Sequence, residues 1–144
     1  MKKIIKFFII NMFIFSLAFA KVNMEKDILN FKELRRVERA IEKLENSKNI
    51  KVYLNIFEGE NDFYTENPQK VLIFNIQNIE TDELGIELKF SEDLNMEEKS
   101  VDLGIILDNF KKELYNREYE KYIIGVLEAL EKVIPEEKNE DSTS

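Results

Sequence analysis

The sequence predicts an α/β sandwich: a small mixed sheet of three to four strands packed with about three helices. Three observations carry this. Val71, Leu72, Ile73, Phe74 and Ile76 form a run broken only by Asn75, apolar enough for a strand covered on both faces. Residues 50–57 and 84–90 alternate with period two, each with one dry face. Residues 31–45 and 119–134 instead repeat their apolar positions at three and four, the signature of one-sided helices. A chain of 144 residues gives all of them one core of moderate size.

Taken in order, the chain opens with Met1, Lys2, Lys3 and Lys6 and continues into an almost wholly apolar run over residues 7–19. Ala18-Phe19-Ala20 supplies the small residues that a signal peptidase reads, so residues 1–20 are expected to be a signal peptide cleaved after Ala20. Residues 21–134 are then a single domain and residues 135–144 a disordered acidic tail. The product is expected to be periplasmic or secreted, with no membrane insertion of the mature chain.

Residues 22–29 read as a lead-in. Asn30 and Glu33 have the spacing of a capping box, and Leu34, Val37, Ile41 and Leu44 give the following helix its apolar face to about Glu45. Arg35, Arg36 and Arg39 lie among Glu33, Glu38 and Glu42 and read as a solvated face paired along the helix. In the next strand Ile50, Val52, Leu54 and Ile56 share one face and Lys51, Tyr53, Asn55 and Phe57 the other. About a dozen residues then lead through Phe63, Tyr64 and Pro68 to the central strand, enough for a crossover to a parallel neighbour but too few for a full helix. Residues 78–83 are a polar turn, so the strand over 84–90 pairs antiparallel with the central one. Residues 91–98 form a loop. Residues 100–107 fit strand or helix; helix is favoured because Leu103, Ile106, Leu107, Phe110 and Leu114 continue one stripe. A break falls at Asn116-Arg117, and Pro135 ends the last helix.

Composition removes much chemistry. There is no cysteine and no histidine, hence no thiol nucleophile, no zinc knuckle and none of the commonest general base. No GxSxG or P-loop sequence is present, and HExxH cannot be. No catalytic residue is assigned. Acids outnumber bases 29 to 21, a net charge of −8, and loss of Lys2, Lys3 and Lys6 makes the chain more negative still. That argues against nucleic acid and against an anionic membrane surface.

One candidate remains. Glu58, Glu60 and Asp62 follow the first strand, where carboxylates two apart can share calcium or magnesium through oxygen ligands. Glu80, Asp82 and Glu83 fit the demands of a turn. Tyr115, Tyr119, Tyr122 and Phe110 stand at helical spacing and read as core and core rim. Gly104 and Gly125, inside helices, suggest close packing onto the sheet.

Residues 51–57 (KVYLNIF), the central run 71–76, and above all residues 108–134 carry a resemblance to the TPM-domain family. The last stretch is similar to the family's closing pattern: a helix ends shortly before an aromatic, here Tyr119, and a final helix holds an internal glycine, here Gly125. The resemblance spans roughly residues 31–134. It implies an α/β sandwich behind an export signal, and a role either as an acid phosphatase or as an accessory factor of membrane complexes. The family's glycine-rich loop before the second strand is missing; Glu66-Asn67-Pro68-Gln69 stands there, which weakens the phosphatase reading. The expectation is therefore an exported, envelope-associated module that binds an unknown protein partner without catalysis. The alternative is a divalent-metal-dependent phosphatase with Glu58, Glu60 and Asp62 as ligands.

Overall fold

The computed structural model describes residues 21–60 and 69–136. The expected signal peptide, Asp62 and nearly all of the expected tail lie outside the described residues. Among the described residues four strands, β1 (Val22–Met24), β2 (Lys51–Phe57), β3 (Val71–Gln77) and β4 (Gly85–Phe90), form one sheet in the order β1-β2-β3-β4. The first three are parallel and β4 is antiparallel to β3. With them go α1 (Phe31–Lys48), α2 (Ser100–Asn109), α3 (Lys111–Tyr115) and α4 (Tyr119–Val133). This is the mixed α/β sandwich the periodicities predict.

The lead-in begins with a strand. β1 sets Val22, Asn23 and Met24 opposite Leu54, Asn55 and Ile56; three residues are too few to show a period, so only the pairing reveals it. The loop expected over 91–98 contains two short 3-10 turns, Glu92–Leu94 and Glu97–Lys99. Residues 100–107 are helix, as the continuing stripe indicates. α1 starts at the Asn30 capping box, with Asn30 Oδ1 accepting from Glu33 N and Glu33 Oε1 accepting from Asn30 N, both at 2.9 Å. It runs one turn past Glu45 and stops where Asn49 turns left-handed at φ 57°, a conformation asparagine tolerates better than most residues.

Register assigns the two faces of the sheet. Val52, Leu54 and Ile56 stand opposite Leu72, Phe74 and Ile76, and these side chains share one buried cluster with Val37, Ile41 and Leu44 of α1 and Ile123, Val126, Leu127 and Leu130 of α4. Burial of each such aliphatic chain contributes about 1.5–3 kcal/mol. Tyr122 tilts against Phe74 in this core, ring centroids 6.2 Å apart. Phe57, Val71 and Ile73 point to the other face and are buried apart from that cluster.

At its start β2 extends past β1, and its spare backbone donor is met by a side chain. Val52 N donates to Glu45 Oε2 at 2.9 Å, and Lys21 Nζ lies 3.1 Å from the same oxygen. Arg36 makes its ion pair with Glu120 of α4, while Glu33 of its own helix also favours its charge, so one residue of the basic run helps fasten two helices together.

Candidate functional site

Because β1, β2 and β3 are parallel, the loops that follow them gather at one end of the sheet, where α/β folds commonly bind ligands. Hydrogen bonds tie these loops into one rim. Glu58 N donates to Glu25 Oε1 at 3.2 Å, joining the loops after β2 and β1. Gly59 N donates to Asn78 Oδ1 at 2.8 Å, joining the loops after β2 and β3. Lys26 Nζ lies 3.4 Å from Glu80 Oε1 and closes the circuit. Gly59 has φ 80°, which lets the chain leave β2 sharply without Cβ strain.

The rim is acidic. Glu25, Asp27, Glu58, Glu60, Asp82 and Glu83 are exposed along it. Glu58 and Glu60, two of the three residues of the metal-ligand candidate, sit on the middle loop; the third, Asp62, is outside the described residues. Among the described residues no three acidic side chains come together as a metal site.

Glu80 does more than shape a turn. Its Oε2 accepts the Tyr119 hydroxyl at 2.9 Å, so the hairpin is fastened to the first turn of α4. Burial, then the bond to Glu80, pushes the Tyr119 hydroxyl up to about 12. The bond from Tyr119 in turn holds the Glu80 carboxyl below its ordinary value. At neutral pH Tyr119 is therefore a protonated donor and not a base. The other aromatics do not join it in one patch: Tyr122 is buried, Phe110 half-buried and Tyr115 exposed.

A second feature crosses the sheet at mid-height. Asn23, Asn55, Asn75 and Glu87 occupy one row of register on all four strands. Asn23 Nδ2 donates to Asn55 Oδ1 at 2.8 Å, Asn55 Nδ2 to Asn75 Oδ1 at 2.9 Å, and Asn75 Nδ2 to Glu87 Oε1 at 3.1 Å. The donors all point the same way and the chain ends on a carboxylate, an arrangement in which each bond polarises the next. Asn55 and Asn75 are each only 2% exposed, and each satisfies its neighbour. Beside the ladder's end lies a cavity of about 280 Å³ lined by Asn75, Gln77, Gly85, Ile86 and Glu87.

A larger cleft of about 400 Å³ opens at the opposite end of the sheet, between Lys48, Lys70, Asp93 and Pro135. Asp93 is spent there on structure: both its oxygens accept from Lys70 N at 3.0 Å and Oδ1 accepts from Ser91 Oγ at 2.6 Å. These bonds, that of Ser91 first, hold its carboxyl low.

The row of asparagines escaped sequence reasoning. Its only signal is a polar residue at the same phase of three separate runs, and nothing before the register is known says that the phases coincide. Compared with protein-family models and with curated protein sequences, the chain matches none.

Proposed function

We propose that the chain is an exported TPM-like module that acts at the cell envelope by binding a protein partner through its acidic rim. One observation carries the reading: three loops from three parallel strands are hydrogen-bonded to one another and present their carboxylates together. Loops whose backbone is already braced lose little main-chain freedom on binding. Their uniform sign suits a basic partner surface and speeds its approach.

The test is envelope association of the wild-type chain against Glu58→Gln/Glu60→Gln. Binding that weakens in the variant and with added salt is the expected result. Binding indifferent to both would overturn the reading. Calcium and magnesium are titrated in parallel, read as the thermal midpoint, because an ion that binds only the folded chain must raise it. A rise abolished by the same substitutions would turn attention to the metal-dependent phosphatase alternative.

A further inference from the structure

β4 is an edge of the sheet. Ser91 N donates to Val71 O at 3.0 Å, and Ile73, Asn75 and Gln77 stand opposite Lys89, Glu87 and Gly85. In an antiparallel ladder, bonded positions alternate, so Gly85, Glu87 and Lys89 turn their backbone groups toward β3. Ile86, Leu88 and Phe90 turn theirs outward. The same three side chains lie on the core face, yet they are only half-buried, whereas their partners Ile76, Phe74 and Leu72 are each 0% exposed. Among the described residues an open backbone edge thus runs beside an incompletely covered apolar row.

We propose that this edge pairs with the β4 edge of a second copy of the chain, antiparallel about a two-fold axis at Leu88, to make a continuous eight-stranded sheet. The sequence of β4 is complementary to itself under that operation. Leu88 faces Leu88 of the second copy, and Ile86 faces Phe90, so the apolar row continues across the axis. Glu87 faces Lys89, and Lys89 faces Glu87, on the opposite face. These are the non-hydrogen-bonded positions of the new ladder, where side chains approach most closely. Outward groups at Ile86, Leu88 and Phe90 supply about six new backbone hydrogen bonds. Charge disfavours the two adjacent registers: an axis at Glu87 or at Lys89 would set like charges opposite each other. Closed two-fold pairing also removes an edge that would otherwise recruit strands without limit. The inference does not rest on the acidic rim, which lies on other loops.

Sedimentation of the purified protein across a concentration series tests it. The wild type is expected to dimerise. Lys89→Glu alone and Glu87→Lys alone are each expected to be monomeric, because each sets like charges across the axis, and their equimolar mixture is expected to form a heterodimer. Leu88→Pro removes an outward N–H while leaving the β3–β4 bonds in place; it is expected to abolish pairing with the circular dichroism of the folded chain retained. Amide exchange gives a second readout, with Ile86, Leu88 and Phe90 slow in the wild type and fast in Lys89→Glu. A wild type that stays monomeric, or a dimer indifferent to Lys89→Glu and Leu88→Pro, would overturn the proposal.

Discussion

The ring of Phe110 occupies the space that a side chain at Gly125 would need. A methyl group added to Gly125 would come within 2.7 Å of Phe110 Cδ1, so α4 can approach the α2–α3 junction only because residue 125 has no Cβ. The close packing implied by a glycine inside a helix is real, but it is against a neighbouring helix and not the sheet. At Gly104 nothing stands within 4 Å of the same added group, and the glycine there serves no close approach.

Gly125→Ala is therefore expected to destabilise the fold. Overpacking costs about 1–3 kcal/mol, against which alanine returns roughly 1 kcal/mol of helix propensity. In a Phe110→Ala background the obstruction is gone and the sign should reverse, with Gly125→Ala now stabilising. Urea denaturation of the four proteins measures both effects; the same sign in both backgrounds would show that the ring is not the obstacle.

The asparagine row makes a different prediction. Asn55→Ala leaves Asn75 Oδ1 without its donor in a buried site, a cost of about 1–3 kcal/mol. Asn23→Ala should cost less, because Asn23 is exposed and water can take its place. The double variant Asn55→Ala/Asn75→Ala should be more stable than the two single costs added together, since the second substitution removes a group the first had already orphaned. Strict additivity in a double-mutant cycle would mean that the row is not one network.

These two sites show where the sequence was legible. Alternation over residues 50–57 identified the strand and its faces, and the three- and four-residue stripes identified α1 and α4, because each pattern lies within one segment. Asn55 and Asn75 meet only through the zero-offset pairing of β2 with β3, and Phe110 meets Gly125 only through helix packing. Tyr119 and Glu80 likewise lie 39 positions apart. Long-range partners of this kind leave no local period. The same holds for Arg36: spacing shows its neighbours on α1 but not Glu120 on α4.

The Tyr119–Glu80 bond sets two pH windows. Tyr119 has its pKa raised from 10.0 to about 12, so the stability it contributes is complete below pH 10 and is lost as pH climbs through about 12. Glu80 has its pKa lowered from 4.5; its contribution is complete above that value and disappears as pH falls through the depressed one. Tyr119→Phe should flatten the alkaline decline and make the acid decline shallower. An alkaline profile identical to the wild type would assign that arm to other groups, Tyr122 first, whose hydroxyl is also raised by burial.

Arg117 stands where helices prefer glycine. Arg117 N donates to Leu114 O at 3.1 Å and Glu118 N to Glu113 O at 2.8 Å, the paired bonds that close a helix through a left-handed residue. That residue is Arg117, at φ 62°, and its Cβ is strained there as glycine would not be. Arg117→Gly is expected to stabilise the chain by a few tenths to about 1 kcal/mol, the gain being limited by glycine's freedom in the unfolded state. Arg117→Ala is the control: it removes the same charge but keeps the Cβ, and should bring no gain. If both substitutions shift the denaturation midpoint equally, the effect belongs to the lost charge beside Glu80 and not to the backbone.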